Sequence, residues 1–452
     1  MKTPIPMPNR GQLSRRQFLR TAALAGGAVF SSPLILPGTA WGADGAVAPS
    51  NRVALGFIGT GRQAAYANIP GFLNQPDAQV VAVCDVDSWR MDKARKQVDD
   101  FYASKKTAYK GCAAIRDWRK LIARQDIDAV MISTPDHWHA VMCIAALQAG
   151  KDVACEKPLT RNIAEGRRIV QAVAAARRVF CTDSEFRSYR MCHQAAQLVR
   201  NGKIGKLQRI ITGTPRDSTL APQPEMPVPA ELDFDMWLGP APARPYTEKR
   251  VHPRHEDKGR PGWLCIRDYA DGMLANWGAH LNDIAMWANN TEHTGPVEIE
   301  ATGKFGPAGN LWDVIQEFEA HFRFANGVTL TCKTDKPYMR FEGSEGWIQI
   351  DYPIHIELEP EDLLTWKPGP NDVQLPSMVS EKRNFLDAVK SRQQPLYNAE
   401  GGHRNASLSH LALAAIQVGR KLKWDPVAEK IVGDDEASKL LEPKPLRGPW
   451  KV

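Results

Sequence analysis

A glycine-rich turn after a short apolar segment constrains the fold of this 452-residue chain most strongly. The segment, residues 52–58, reads Arg-Val-Ala-Leu-Gly-Phe-Ile, the pattern of a strand buried on both faces of a parallel sheet. It is followed by Gly59-Thr60-Gly61-Arg62-Gln63-Ala64, after which a helix can begin. In this G-x-G-x-x-A pattern the first glycine allows a tight turn, the second lets a pyrophosphate approach the backbone, and the alanine lets the helix pack on the strand. The turn therefore predicts a dinucleotide-binding Rossmann domain, with Gly59, Thr60, Gly61 and Arg62 at the cofactor.

The residue after the second apolar segment indicates which dinucleotide is bound. Residues 78–84, Ala-Gln-Val-Val-Ala-Val-Cys, form a second predicted strand that ends at Asp85. A carboxylate in this position can hydrogen-bond both hydroxyls of the adenosine ribose and would repel the extra phosphate of NADP. We therefore expect NAD, with NADP as the alternative.

The first 44 residues have the features of an export signal. Twin arginines, Arg15 and Arg16, precede Phe-Leu, a weakly apolar run at 21–36 and small residues at 40–43. The run is too short and too rich in Gly and Ala for a stable membrane span. We interpret residues 1–44 as a Tat signal peptide, which predicts a periplasmic or other extracytoplasmic protein that meets the Tat translocon. A disordered basic tail is the alternative.

Composition excludes some function classes. Five of the 58 Lys and Arg and one of the 51 Asp and Glu lie in residues 1–50, so the rest of the chain carries a net charge of only +3. No basic stripe with interleaved aromatic residues occurs, so we expect no nucleic-acid partner. The eight cysteines form no Cys-x-x-Cys, and Cys84, Cys155 and Cys181 lie in apolar strand-like segments typical of buried thiols.

Two further loops are expected beside the glycine turn. An apolar strand at 128–132 and another at 152–155 are separated by a helical pattern at 140–149. Ligands of doubly wound sheets bind beyond the carboxyl ends of the strands, so the loops after these strands should meet the turn and Asp85 in one crevice. We assign these loop residues to the cofactor side of that crevice: Thr134, Pro135, His137, His139, Glu156 and Lys157.

These motifs resemble those of the glucose–fructose oxidoreductase / inositol dehydrogenase family (Gfo/Idh/MocA). The resemblance rests on the glycine turn, on Thr-Pro-Asp-His-Trp-His at 134–139, on Cys-Glu-Lys-Pro at 155–158 and on Gly-Ala-His-Leu-Asn-Asp at 278–283. It implies sugars, polyols or cyclitols as substrates and a C-terminal α+β domain with an open, mostly antiparallel sheet, after a Rossmann domain with a doubly wound parallel sheet. We expect the Rossmann domain at 50–180, the substrate domain at 181–380, and C-terminal helices at 381–452 packing near the first domain. We also expect a homo-oligomer through the open sheet.

The pattern of the second half agrees with this expectation. Residues 316–324 alternate strictly between polar and apolar, Asn326-Gly327 indicates a type I′ hairpin turn, and residues 328–332 form the partner strand. Further strands are expected at 207–213, 297–304, 338–342 and 347–358, and helices at 384–390 and 407–422. The long segment at 215–263, rich in Pro, Arg and Asp, is expected to form a wall over the substrate cleft.

Lys157 is the first candidate for proton transfer. Oxidation of a secondary alcohol needs a base for the hydroxyl proton, and burial can lower a lysine pKa toward the useful range. A salt bridge with Glu156, or a lysine that only hydrogen-bonds the substrate, is the alternative.

A predicted helix at 273–288 carries the second group of candidates. Asn276, His280 and Asp283 are spaced to share one face, opposite an apolar stripe, so this face is expected to point into the cleft or into solvent. The family often has Asp-x-x-x-His here, and this chain has Asn276 in place of the aspartate. Asparagine can orient a hydroxyl but cannot carry a proton, which leaves His280, with a pKa near neutrality, to take it.

Other residues are weaker candidates. Arg187, Trp263, Arg267, Tyr269 and Asp283 could bind sugar hydroxyls or stack on a sugar ring. His137 and His139 could line the nicotinamide side of the cleft. They could also form a zinc pair, but no third ligand is evident and we expect no metal.

Three functions are compatible with these residues. The first is an exported NAD(P)-dependent oxidoreductase that acts on a sugar, glycoside or polyol hydroxyl with a tightly bound cofactor. The second is a glycosidase that works by oxidation, elimination, water addition and re-reduction. The third is a non-catalytic sugar-binding protein that has kept the fold.

Overall fold

The computed structural model describes residues 47–105, 109–256, 258–352, 355–443 and 445–452. Residues 53–452 form one compact unit, and residues 1–52 form another, whose described part contains a short 3-10 turn at Pro49–Asn51. The predicted signal peptide at 1–44 lies outside the described residues. None of the helices described is long and apolar enough to cross a membrane.

Six parallel strands form the first sheet, in the order β3-β2-β1-β4-β5-β6. They are β1 (Val53–Ile58), β2 (Ala78–Cys84), β3 (Ala113–Ile115), β4 (Ala129–Ile132), β5 (Asp152–Glu156) and β6 (Phe180–Asp183). The strand order reverses between β1 and β4, and the crevice at such a switch point is where doubly wound sheets bind their ligands. The predicted Rossmann fold is confirmed.

Helices cover both faces of this sheet. They are α1 (Ile69–Leu73), α2 (Ser88–Ser104), α3 (Trp118–Ile122), α4 (His139–Gln148) and α5 (Ile163–Ala176). α1 continues a π-helical turn at Ala64–Asn68, which follows the glycine turn. Asp87 begins α2 by accepting a hydrogen bond from the Arg90 N–H, and Asn162 begins α5 in the same way through the Glu165 N–H.

Nine strands form the second sheet, in the order β13-β12-β11-β7-β10-β9-β8-β14-β15. They are β7 (Leu207–Thr214), β8 (Pro296–Phe305), β9 (Ile315–Phe324), β10 (Thr329–Thr334), β11 (Tyr338–Gly343), β12 (Trp347–Asp351), β13 (His355–Glu359), β14 (Leu422–Asp425) and β15 (Lys430–Ile431). β7 and β10 are parallel, and the other pairs are antiparallel. The predicted open, mostly antiparallel sheet is confirmed, although the strand predicted at 347–358 is a hairpin of two strands.

The turn between β9 and β10 differs from the predicted type. The Gly327 N–H donates to the Phe324 carbonyl, which closes a turn with Ala325 and Asn326 at its centre. A type I′ turn needs positive φ at both central residues, whereas here Gly327, the fourth residue, has φ +87° and Asn326 does not have a positive φ. The glycine therefore serves to close a hairpin with a bulge, and the predicted strand pairing is retained.

The remaining helices described follow β6 in the chain. They are α6 (Arg190–Arg200), α7 (Phe234–Leu238), α8 (Gly272–Asn276), α9 (Gly278–Ala288), α10 (Glu381–Ser391), α11 (Ala399–Val418) and α12 (Asp435–Leu440). The single helix predicted at 273–288 is interrupted at Trp277. Every residue of α9 is buried, so its polar face meets protein instead of solvent.

The C-terminal region contributes to both domains. Phe385 and Leu386 of α10 join the core of the parallel sheet. β14 and β15, in contrast, extend the second sheet. The last residues return to the first domain, where the Trp450 ring packs 4.7 Å from the Trp138 ring.

The segment at 215–263 has a small core of its own. Trp237 stacks on Phe234 at 5.8 Å and packs edge-on against Tyr269 at 4.9 Å. This core, which also includes Val251 and Ile266, gives an irregular segment a defined position beside the crevice.

Candidate functional site

The glycine turn lines a cavity of about 460 Å³ at the carboxyl ends of the parallel strands. Gly59 has φ +86°, and a Cβ there would lie 2.6 Å from the Ser133 carbonyl oxygen, so the fold itself requires glycine. A Cβ at Gly61 would meet no atom of the described residues within 4 Å. Because none of the residues described demands glycine at 61, a ligand that approaches the backbone, as a pyrophosphate would, explains the missing side chain.

Asp85 joins the end of β2 to the glycine turn. Its Oδ2 accepts hydrogen bonds from the N–H and the hydroxyl of Thr60, at 2.7 and 2.9 Å, and its Oδ1 accepts from the Asp87 N–H. Asp85 lines the cavity, whereas Thr60 is buried beneath it. Thr60 thus holds the Asp85 carboxylate in place. The remaining lone pairs of this carboxylate can accept hydrogen bonds from ribose hydroxyls.

Several buried polar atoms along this side of the cavity have no hydrogen-bond partner in the described part of the chain. They are the Arg90 Nε, the Trp118 Nε1 and the Thr134 hydroxyl, all in residues that line the cavity. Buried polar groups normally have partners, so orphaned groups around one cavity indicate a polar ligand. The residues present therefore fit a dinucleotide.

Two of the four residues expected at the cavity from the loop after β4 line it. Thr134 and Pro135 line the cavity. The buried His139 instead places its ring nitrogens 2.9 and 3.0 Å from the Pro158 and Thr134 carbonyl oxygens, which joins this loop to the next one. His137 contacts the Trp237 carbonyl at 3.1 Å, and burial lowers its pKa to about 3. Neither histidine lines the cavity; both position loops around it.

Glu156 and Lys157, at the end of β5, lie at the cavity. Glu156 accepts hydrogen bonds from the Asn68 amide at 2.9 Å and from the Lys157 N–H at 3.2 Å. Lys157 Nζ donates to the Asn276 carbonyl oxygen at 3.4 Å. The ammonium therefore points away from its neighbour Glu156 and toward the helices of the second domain.

The interruption between α8 and α9 explains why this carbonyl is accessible. The His280 N–H donates to the Trp277 carbonyl, three residues back, instead of continuing the helical pattern to Asn276. The Asn276 carbonyl accepts from Lys157 instead. Asn276, Trp277 and His280 all line the cavity.

His280 is buried and neutral. Its side chain is only 8% exposed, its Nδ1 lies 2.8 Å from the Ser184 hydroxyl, and its ring stacks on Phe186 at 4.5 Å. Burial, followed by the nearby charge of Lys157, lowers the pKa of His280 well below its usual value. The expectation of a pKa near neutrality is thus wrong, because it ignored desolvation.

Arg187 and Asp283 lie outside the cavity. They form a bidentate ion pair, with Nε–Oδ2 and Nη2–Oδ1 distances of 2.8 and 2.7 Å, and both side chains are under 5% exposed. The pair joins the turn after β6 to α9. In this structure the two residues therefore position the helix that carries His280 and have no direct access to a substrate.

The three candidates at 263–269 are separated. Trp263 lines the cavity. The Arg267 guanidinium lies on the surface, where its Nε donates to Asp313 at 3.4 Å. The Tyr269 side chain is fully buried, and burial raises its pKa to about 12.

Several residues at or next to the cavity were not predicted from the sequence. Asn68 lies on the π-helical turn, and its buried amide donates to the Ser133 hydroxyl and to Glu156, both of which line the cavity. Glu185 lies beside His280, and Tyr352 packs edge-on against Trp277 at 5.0 Å. Asp136 is buried at the cavity, and burial raises its pKa to about 8. Strand-end position could have identified Glu185, which is the second residue after β6.

The segment at 215–263 crosses the cofactor side of the cavity. The Arg62 Nε donates to the Lys258 carbonyl at 3.1 Å, and the Arg90 Nη2 donates to the Pro253 and Glu256 carbonyls at 2.9 Å. His252 contacts Asp87 at 3.0 Å. Together with the lining residues Trp237, Arg260 and Pro261, these contacts place the segment along the cofactor side of the cavity, whereas it was expected over the substrate cleft.

The described residues contain no group of three or more His, Cys, Asp or Glu side chains arranged for a metal ion. All eight cysteines are buried free thiols.

Comparison with known proteins identifies the fold and its relatives. The family model "Oxidoreductase family, NAD-binding Rossmann fold" matches residues 53–184, and "Oxidoreductase family, C-terminal alpha/beta domain" matches residues 218–452. The chain is 27% identical over 366 residues, 76% of either chain, to a glycosyl hydrolase family 109 protein of Stenotrophomonas maltophilia (strain K279a).

Two further proteins extend the comparison. An alpha-N-acetylgalactosaminidase of Shewanella oneidensis (strain ATCC 700550 / JCM 31522 / CIP 106686 / LMG 19005 / NCIMB 14063 / MR-1) is 30% identical over 207 residues, 43% of this chain and 44% of that one. The crystal structure of an aldose-aldose oxidoreductase from Caulobacter crescentus, complexed with glycerol, aligns with a TM-score of 0.59 at 17% identity, over 82% of this chain and 99% of that one. This likeness shows the fold. With both domain models matched, the chain belongs to the Gfo/Idh/MocA family of NAD-binding oxidoreductases.

Proposed function

We propose that this protein oxidises a hydroxyl group of a sugar, glycoside or polyol with a tightly bound NAD. The observation that carries the proposal is that Lys157 and His280, from different domains, meet in the cavity that the glycine turn also lines. An alcohol oxidation needs a proton acceptor and a group that stabilises the charge developing on oxygen. The two side chains can supply these two functions.

Each residue has a defined task in this scheme. Bound nicotinamide would supply the acceptor for the hydrogen and two electrons that leave the substrate carbon. Lys157 donates a hydrogen bond to the substrate oxygen, and the neutral His280 accepts its proton on a ring nitrogen. The glycine turn and Asp85 hold the pyrophosphate and the adenosine ribose. The rings of Trp263, Trp277 and Tyr352, which line the cavity, suit the apolar faces of a sugar.

A second candidate function is redox-neutral cleavage of a glycoside. It is favoured by the similarity to a glycosyl hydrolase family 109 protein over three quarters of either chain. Oxidation of one ring carbon acidifies the neighbouring C–H, which permits elimination of the glycosidic group; water addition and return of the hydride then complete a hydrolysis. This reaction uses the same residues and consumes no NAD.

Export of the folded protein would explain why the cofactor should be bound tightly. We propose that residues 1–44 direct the protein through the Tat pathway, so that NAD binds in the cytoplasm and leaves with the protein. The wall at 215–263 supports slow release, and the C-terminal tail holds the wall: the Arg447 N–H donates to the Pro240 carbonyl at 2.9 Å, and its side chain reaches Asp235 and the Gly239 carbonyl.

A cofactor measurement tests the retention. Protein purified from cells and desalted should carry close to one nicotinamide per chain. Arg447→Ala should lose it faster during dialysis than wild type, because the wall loses its anchor. Arg420→Ala, which removes an exposed arginine paired with Asp434, is the matched control. Protein that emerges empty, and works only with added NAD, would contradict tight binding.

A substrate panel tests the function itself. Sugars, glycosides and polyols are added to the desalted protein while the nicotinamide absorbance and the products are followed. Reduction of the bound cofactor supports a dehydrogenase, and release of the glycosidic group without added NAD supports the glycosidase. Sugar binding in calorimetry without either signal would mean that the protein only binds carbohydrate.

A further inference from the structure

His280 has two polar neighbours on the side of its Nδ1 atom. The Ser184 hydroxyl lies 2.8 Å from Nδ1, and the Glu185 Oε2 lies 3.7 Å from the same atom. Both residues lie just after the end of β6 in the first sheet, whereas His280 belongs to α9. Nδ1 is thus engaged within the protein, which leaves Nε2 as the ring nitrogen for the cavity.

Glu185 differs from Asp85 and Glu156, two other carboxyl groups that line the cavity. Asp85 accepts hydrogen bonds from Thr60 and from the Asp87 N–H, and Glu156 accepts from Asn68 and from the Lys157 N–H. The Glu185 side chain is 37% exposed and makes no hydrogen bond to the described residues; its contact is the ion-pair distance to His280. Its carboxylate is therefore available to the imidazole.

Asn276 makes such a carboxylate necessary. The family resemblance predicts an aspartate four residues before the histidine, and this chain has an asparagine there. An amide cannot compensate the positive charge that arises when the imidazole takes a proton. Burial and the nearby charge of Lys157 also disfavour the protonated imidazole, because both lower the pKa of His280.

We propose that Glu185 replaces the missing aspartate: together with Ser184 it holds His280 with a proton on Nδ1, so that Nε2 accepts the hydroxyl proton of the substrate. The inference rests on the proposed alcohol oxidation and makes Glu185 a positioning residue. In the step, the O–H bond breaks and its proton goes to Nε2, and its electron pair forms the C=O bond. Bound NAD would supply the acceptor for the C–H hydrogen and its electron pair. The imidazolium is then balanced by Glu185, as the carboxylate of a catalytic triad balances its histidine.

Rescue by the family residue is the sharpest test. Glu185→Gln should slow reduction of the bound nicotinamide by about 10²-fold at saturating sugar, the size of one acid–base contribution, with little change in KM. Glu185→Gln combined with Asn276→Asp should recover most of the rate, because the carboxylate returns from the neighbouring helix. Glu361→Gln, an exposed glutamate outside the cavity, is the control.

Two results of this experiment would overturn the proposal. The first is Glu185→Gln turning over at the wild-type rate. The second is a slow Glu185→Gln variant that Asn276→Asp does not rescue although both proteins unfold at the wild-type temperature. A purely structural defect at Glu185 would not be repaired from α8.

A second readout does not depend on activity. In ¹⁵N spectra of histidine-labelled protein at pH 7.5, the His280 resonances, assigned by their loss in His280→Gln, should show a protonated Nδ1 and an unprotonated Nε2. Glu185→Gln should shift this balance toward the other tautomer. A wild-type ring protonated on Nε2 would overturn the proposal even if the enzyme is active. If the expected tautomer is observed but no sugar changes the redox state of the bound nicotinamide, the result would instead count against the proposed function.

Discussion

His280 and Asn276 show how far the chemistry of single residues depends on their surroundings. A solvent-exposed histidine titrates near neutral pH, but the buried His280 beside Lys157 is held neutral. Asn276 contributes its backbone carbonyl to Lys157, a role that does not depend on its side chain. The chemistry of these two residues therefore depends on their neighbours as much as on their residue type.

The first prediction concerns the choice of cofactor. Asp85→Ser removes the carboxylate that would face the 2′-phosphate of NADP while a hydroxyl remains for Thr60. The ratio of NADP to NAD affinity should rise at least about tenfold, which corresponds to 1.4 kcal/mol. Binding titrations of apoprotein with both dinucleotides measure the ratio; an unchanged ratio would place the adenosine ribose elsewhere.

The second prediction concerns the two central side chains. Lys157→Ala and His280→Ala should each lower turnover by about 10²–10⁴-fold, the usual contribution of a positioned acid or base. Asn276→Asp should keep or raise activity, since it restores the family residue and leaves the backbone carbonyl in place. Steady-state rates and thermal unfolding of each variant provide the check. Collapse of activity in a folded Asn276→Asp variant would mean that the asparagine serves a different chemistry.

At the scale of elements, α9 is held in place by a buried charge pair. Asp283→Ala would leave the Arg187 guanidinium buried between the Trp287 and Tyr397 rings without its partner. Breaking a buried pair in this way destabilises a protein by about 3–5 kcal/mol. Urea unfolding should show this loss, while removal of the exposed partner Asp313 from Arg267 should change little. Equal stability of the two variants would show that the Arg187–Asp283 pair does not anchor α9.

At the scale of the whole molecule, buried histidines predict a loss of stability in acid. Burial lowers the pKa of His137 to about 3 and of His410 to about 4, and lowers those of His139 and His280. Below the unfolded value of about 6.5 the unfolded chain binds protons that the folded chain does not, so stability falls as the pH falls. Each such histidine adds about 1.4 kcal/mol per pH unit to this loss.

Urea unfolding between pH 7.5 and 5 measures this dependence. The histidines should make the free energy of unfolding decrease below pH 6.5, and Asp136, whose pKa burial raises to about 8, offsets part of this decrease because the folded chain holds its proton in this range. His137→Gln, whose amide can still donate to the Trp237 carbonyl, should reduce the histidine contribution to the slope by about one proton, whereas replacement of the exposed His355 should not. An unchanged slope in a folded His137→Gln variant would contradict the burial of this ring.

The residues that line the cavity from the glycine turn or from a strand end could be identified from the sequence. The glycine turn, Asp85, Glu156 and Lys157 are local: each follows a strand whose apolar pattern is visible, and parallel strands bring their carboxyl ends to one edge. The alternating pattern of β9 likewise predicted the second sheet. In these cases the residues of one short segment are sufficient to explain its structure.

The partners of these residues were decided by the tertiary structure. Which side chains desolvate His280, which carboxylate reaches its Nδ1, and whether Arg187 meets a substrate or Asp283 all depend on residues about 100 positions apart. Burial and ion pairing act through space, and no local pattern records them. The sequence by itself thus determined the family, the parallel sheet around the turn and the cofactor class. The packing of the second domain on the first decided which of the candidate residues line the cavity and which only hold it in shape.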